Sequence, residues 1–486
     1  MTVTDAPGAQ PDAQPSVRRD RLGVWRRLQG WWDPRRWSWW VQTIAVYTLS
    51  RLWLVVVFTQ AAAHQPLNGW TTTVSPSYLD FVANQFDGQW YRGIAECGPP
   101  PNGSVPPGCG FGGLGYPDEL PPDGPDGVKQ NAWAFFPAFP LLVRTVTNLT
   151  GGTWTVTAPL VATVLGALAM LVVYRLVVDG ARSAVAVRPG LPLATVAVVC
   201  VFPTAPVLQT AYTESLALLL IALSLWALVR RWYILAAPAV VALGFTRAVA
   251  LPMAVVVVVH AAARWWTARR ARDPAPAHDG DGASGCDAPA RGPDDVPVRH
   301  WVQIGALFVV AVVSGFCWPW LTARQTGTPD AYLQTQEAWR ATGAEPFAGW
   351  RIAQFWVGRL LAQLGIDPDG LDLRVLQTTT VVLIIAVLVL VVTLLVVPAG
   401  RRTGPELVAW SAGYLGYIAA VVELGSSLAR FLLLAFPMAA VSVGLVTRPV
   451  WARRAWLALL LVVMAALQAV WVYEIWTYGI NGDWPP

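Results

Sequence analysis

Ala455–Val472 reads AWLALLLVVMAALQAVWV, 18 residues without a charged side chain and long enough to cross the hydrocarbon core of a bilayer. Val381–Val397 with its flanks is a second such run. Working outward, apolar runs recur at roughly 38–60, 154–176, 192–207, 212–229, 233–247, 248–264, 301–321, 376–397, 406–422, 429–446 and 455–478. This pattern predicts an all-α polytopic membrane protein of about eleven transmembrane helices. Runs 192–207 and 233–247 are short for a span, which predicts tilted, broken or partly re-entrant helices there.

Composition agrees. The 486 residues are 55% hydrophobic and 13% charged, a balance that would aggregate as a soluble domain. The net charge of +5 comes from basic residues beside the apolar runs, so it reads as membrane topology rather than as a nucleic-acid surface. All basic residues but Lys129 are arginine, and Ala and Val abound, a bias expected of a GC-rich bacterial genome. With the N-terminus inside, the inner segments hold 23 of the 34 basic residues, as the positive-inside rule requires.

The predicted layout is a basic, disordered cytoplasmic arm 1–37 and an N-terminal membrane half 38–264 with a long outer loop 61–153. A flexible cytoplasmic linker 265–300 follows, then a C-terminal half 301–486 with outer loop 322–375. The first apolar run begins near Trp37 behind a basic stretch, which predicts no cleaved leader. Many of the 27 tryptophans sit at span ends, where an interfacial belt is expected.

Ionisable residues in or beside spans are costly and therefore candidates for function. Asp87, Glu214, Arg247 and Arg430 stand out, and all four fall at the outer face of this topology. Asp87 lies in Gln85-Phe86-Asp87-Gly88-Gln89-Trp90-Tyr91, where a carboxylate among aromatic rings suits a general base beside a stacked sugar. It equally suits the cap of a helix over Gly88–Ala95. Arg247 and Arg430 could each bind a phosphate, or pair with a carboxylate such as Glu214 or Glu423. Cys97 and Cys109 share the outer loop and could be bridged, whereas Cys200, Cys317 and Cys286 read as inert. The acidic loop residues Asp118, Glu119, Asp123 and Asp126 read as solvated charge, and the four histidines are scattered. Asp279-Gly280-Asp281 and Asp367-Pro368-Asp369 read as turns rather than as nucleotide-sugar triplets, which leaves a lipid-borne donor.

Four stretches then carry a family resemblance: Phe86-Asp87-Gly88-Gln89-Trp90-Tyr91, Ala134-Phe135-Phe136-Pro137-Ala138-Phe139-Pro140, Ala211-Tyr212-Thr213-Glu214-Ser215-Leu216, and Ala429-Arg430-Phe431 leading to Phe436-Pro437. In order and position they resemble the PIG-V mannosyltransferases, a branch of the multi-spanning GT-C glycosyltransferases. Phe86 stands where that family more often has Trp, and the first loop carries a Pro/Gly/Cys insertion. The resemblance implies a polyprenyl-phosphate-mannose donor, an extracytoplasmic site in the first loop, and Asp87 as the base. Arg247 and Arg430 become the expected donor-phosphate ligands, and Trp90, Tyr91, Tyr212, Glu214 and Phe136 the expected substrate-binding residues. It implies an inverting displacement onto a glycan or glycolipid acceptor, whether lipoglycan, wall polysaccharide or protein-linked. No cofactor is expected, the need for a divalent metal is left open, and no nucleic-acid partner is implied. Arabinose or glucose as the sugar is an alternative. A lipid-linked sugar flippase is the alternative of another class, though the two halves lack the internal repeat it should show.

Overall fold

The computed structural model describes residues 37–67, 73–99, 108–123, 127–272, 297–339, 392, 396–421 and 427–477. Most of the expected span 376–397 and of the arm 1–37, the interior of the linker and Glu423 lie outside these residues. The principal helices are α1 Trp39–Ala63, α2 Tyr78–Asn84, α3 Asp87–Glu96, α4 Ala138–Thr150, α5 Trp154–Gly180, α6 Leu191–Cys200, α7 Glu214–Val229 and α8 Tyr233–Gly244. They continue as α9 Ala250–Arg272, α10 Val298–Thr326, α11 Ala331–Ala338, α12 Pro405–Val421, α13 Ser427–Leu432, α14 Pro437–Gly444 and α15 Val450–Trp471. The strands are a hairpin of β1 Pro122–Asp123 and β2 Gly127–Val128, antiparallel, with Pro122 opposite Val128. Among the described residues five helices are long and apolar enough to cross a membrane: α1, α5, α9, α10, and α15 with the π-helical turn that follows it. Helices α6, α7 and α8 are apolar but shorter. Helix α9 runs past the expected linker boundary at 265 to Arg272, and α10 begins at Val298.

Helices that are apolar all round have no water-facing side, so they pack through small residues and leave the rest for lipid. Helix α5 packs most extensively on α7, and its Ala158, Ala162 and Ala169 are completely buried. Where α8 crosses α10, a Cβ on Gly244 would stand 2.4 Å from the Ser314 carbonyl oxygen, so that crossing requires glycine.

Contacts at the helix termini sort the bundle into two ends. At one end the Trp154 indole opening α5 donates to the Ala83 carbonyl, and Trp318 late in α10 donates to the Trp133 carbonyl. Trp476 beyond α15 meets the Tyr212 ring just before α7. At the other end Trp39 opening α1 stacks on Tyr174 late in α5, and Trp226 late in α7 donates to Asp179. Glu406 opening α12 meets His260 of α9 there, and Arg188 donates to the Val443 carbonyl late in α14. From α1 to α10 successive spans therefore run in alternating directions, and α12 runs in the same direction as α10.

Two spans are broken, and side chains from other helices satisfy the freed carbonyls, as an apolar solvent demands. Helix α6 ends at Cys200, before Pro203 and Pro206, and a 3₁₀ turn covers Ala205–Gln209. Arg51, midway along α1, donates to the Cys200 and Ala205 carbonyls, and Gln468 of α15 donates to those of Cys200 and Phe202. The run 429–446, expected as one helix, is α13, a 3₁₀ turn over Leu433–Ala435 and α14. Pro437 has no N–H and crowds the carbonyl four residues back, which accounts for the break. Trp410 and Tyr414 of α12 donate to the carbonyls of Leu434 and Phe431.

Candidate functional site

The site grows from the corner between α2 and α3. Phe86 has φ 48° and ψ −120°, a conformation that a bulky residue rarely adopts. Its ring is buried edge-on to Trp476, and the backbone around it is pinned. The Ala211 N–H donates to the Val82 carbonyl, and the Asp87 N–H donates to the Tyr212 hydroxyl at 3.2 Å. Gly88 completes the corner: a Cβ there would stand 2.4 Å from the Ala83 carbonyl oxygen. Helix α3 starts at Asp87 itself, and no side chain caps it. The Asp87 carboxylate reaches across the molecule instead.

It meets Arg430, 343 residues away in the chain, whose Nη1 donates to Oδ2 at 2.6 Å. Arg430 lies on α13, with its Nε 3.2 Å from Glu214 Oε1. Glu214 opens α7, where a helix N-terminus favours an acid, and is completely buried. The same Oε1 accepts from Arg247 Nη1 at 2.6 Å. Arg247 sits in the turn between α8 and α9 and also donates to the Thr213 hydroxyl at 3.0 Å. The four residues thus form one neutral chain of alternating charge: Arg247, Glu214, Arg430, Asp87. Buried charges persist only when paired, and both guanidinium groups also lie over aromatic faces. Arg430 covers Tyr212 and Phe431, and Arg247 covers Phe431.

The chain of charges is not fully consumed. Among the described residues Asp87 Oδ1 has no hydrogen-bond partner, and Arg247 donates through Nη1 alone, leaving Nε and Nη2. Glu214 Oε2 is buried without a partner. Burial pushes the Asp87 carboxyl above the ordinary carboxylate range, against the pull of the Arg430 charge and hydrogen bond. Chemically, a carboxylate oxygen able to accept a proton stands in one constellation with a guanidinium able to hold an anion.

The expected aromatic residues form the surrounding wall. Trp90 is buried, stacked on Phe135 at 5.5 Å and edge-on to Trp339, with its Nε1 unpartnered. Tyr91 packs against Phe135, Phe139 and Tyr212, and burial raises its hydroxyl pKa. Phe136 lies farther out, against Trp318 and Tyr332. The Ala138 N–H donates to the Phe245 carbonyl at 2.9 Å, tying the aromatic-proline run to the Arg247 turn. Cys97 and Cys109 are bridged at the far end of α3.

Other loop carboxylates stay outside the cluster. Glu96 pairs with Arg92 on an exposed helix face, Asp118 accepts from Gln325, and Glu119 is exposed. Among the described residues no three His, Cys, Asp or Glu side chains gather as a metal set. Residue reading missed Phe431 and Trp476 as walls of the cluster, since apolar residues in apolar runs carry no distinguishing signal. It also missed Arg51, which the cost of a charge inside a span could have flagged. No protein-family model and no curated protein matches this sequence.

Proposed function

We propose that the chain is a membrane glycosyltransferase that moves mannose from a polyprenyl-phosphate carrier to an extracytoplasmic glycan or glycolipid acceptor. The observation that carries this reading is the convergence of Asp87, Glu214, Arg247 and Arg430 from four separate stretches of sequence into one constellation. It lies at the end of the bundle from which the disulfide-bearing loop extends. Under the proposed topology the chain crosses the membrane about eleven times, with the N-terminus cytoplasmic and the cluster outside, where a lipid-borne donor is accessible.

In the proposed reaction Asp87 Oδ1 takes the proton from an acceptor hydroxyl. The acceptor oxygen attacks the anomeric carbon, and the bond from that carbon to the phosphate oxygen breaks with its electron pair leaving on the phosphate. A β-linked donor gives an α-mannoside, without a covalent intermediate. Arg247 offers unused donors to the developing phosphate charge, while Arg430 orients Asp87 and adds its own charge. Buried Glu214 holds the two arginines together against their mutual repulsion.

The test is to give purified protein radiolabelled polyprenyl-phosphate-mannose with membranes as acceptor source, beside the arabinose and glucose donors. Acceptor-dependent release of polyprenyl phosphate from the mannose donor is the expected result. Release from another donor alone would change the sugar, and transport of an intact donor without release would favour a flippase.

A further inference from the structure

A second buried polar array occupies the opposite end of the bundle. Tyr233 opens α8, 11 residues before Gly244, which at the helical rise places it about 17 Å from the end near Arg247. Its hydroxyl accepts from Arg264 Nη1 at 2.8 Å and lies 3.0 Å from His260 Nε2. His260 Nδ1 is 2.7 Å from Glu406 Oε1. His260 thus stands between the Tyr233 hydroxyl at Nε2 and the Glu406 carboxylate at Nδ1. Three helices, α8, α9 and α12, are tied together this way.

The array has unused donors. Arg264 is only 8% exposed, yet among the described residues its Nε and Nη2 have no partner. The His300 ring, on α10, stands 5.6 Å from that of Tyr233, and its Nδ1 is buried without a partner. Arg231 and Arg299 add positive charge around His300, and Glu406 is the one acid in the hydrogen-bonded array. Unpaired guanidinium donors beside a buried, unpartnered imidazole nitrogen, under an excess of positive charge, call for an anion with several acceptor oxygens, which is the chemistry of a phosphate.

The surroundings identify its source. Trp232, Trp265 and Trp266 are exposed beside the array, with Arg230, Arg269 and Arg270 lying over their rings. Exposed Ile234 and Leu235 follow on α8. Tryptophan and arginine above exposed aliphatic side chains mark a headgroup layer over acyl chains. We infer that the pocket-side donors of Arg264 and His300 bind the headgroup phosphate of an anionic phospholipid in the leaflet at this end, bridging α8, α9 and α10.

Full-length protein in detergent tests this by melting temperature and native mass spectrometry with dioleoyl phosphatidylglycerol, dioleoyl phosphatidylcholine and inorganic phosphate. Phosphatidylglycerol alone should stabilise and stay bound. Arg264→Gln and Arg299→Gln should each hold it about fivefold more weakly, near the 1 kcal/mol typical of one basic residue at a headgroup. Arg454→Gln, exposed on α15 and away from this array, should hold it as the parent does. Equal stabilisation by phosphatidylcholine, binding of phosphate without lipid, or an equal loss in Arg454→Gln would overturn the inference. Should Arg264→Gln fail to fold, Arg299→Gln decides.

Discussion

In the proposed transfer from a lipid phosphate, Asp87 and Arg247 divide the two tasks of base and phosphate ligand between them, and each role can be tested separately. Arg247→Ala removes the guanidinium with free donors, so KM for the donor should rise more than about tenfold, the 1.5–3 kcal/mol of a charged hydrogen bond. Arg247→Lys should recover only part of it, lacking the planar fork. Unchanged donor KM in both variants would remove Arg247 from the phosphate. Asp87 sets the acid limb of the rate, because a base must be ionised and burial raises its pKa. Turnover should therefore fall at a pH above the ordinary carboxylate range. Stability runs the other way: between the unfolded and folded pKa values the folded state binds the extra proton, so the Asp87 contribution grows as pH falls. An acid limb at the ordinary carboxylate value, or one that tracks unfolding, would contradict this. The sequence made Glu214, Arg247 and Arg430 visible as charges in apolar runs, and Asp87 as a carboxylate among aromatic residues. It could not show that Arg430 serves Asp87 as well as Glu214, since a pairing across 343 residues leaves no local trace.

The corner between α2 and α3 does the positioning. Phe86 holds a left-handed φ because Trp476, Tyr212 and the Val82 carbonyl fix the chain on both sides. Gly88→Ala would drive a Cβ into the Ala83 carbonyl, and relief requires the corner to open. The variant should lose about 1–3 kcal/mol of stability and turn over more slowly even where it remains folded. Normal turnover in folded Gly88→Ala protein would mean that the corner does not set the geometry of Asp87. Element identity was legible from apolar runs, but the interruption of 429–446 was not. Pro437 causes the break, but a proline equally suits the first turn of a helix, so the sequence alone does not show it; Trp410 and Tyr414 of α12 supply partners for the carbonyls of Leu434 and Phe431.

Among the described residues one polar cluster stands at each end of the bundle, and the apolar helix bodies between them keep the two chemically separate. The native thiol Cys286 should be shielded from a membrane-impermeant maleimide in intact cells, while a cysteine placed at exposed Glu119 should react; the reverse pattern would invert the proposed topology. The central claim is that Asp87 is the base of a sugar transfer rather than only one end of an ion pair. Asp87→Asn keeps the size of the side chain, and Glu214 still faces Arg430. The decisive measurement is polyprenyl phosphate release by Asp87→Asn protein, normalised to folded protein and to donor bound. The account predicts donor binding near the parent value with turnover lower by about 10²–10⁴; turnover in proportion to the folded fraction would contradict it.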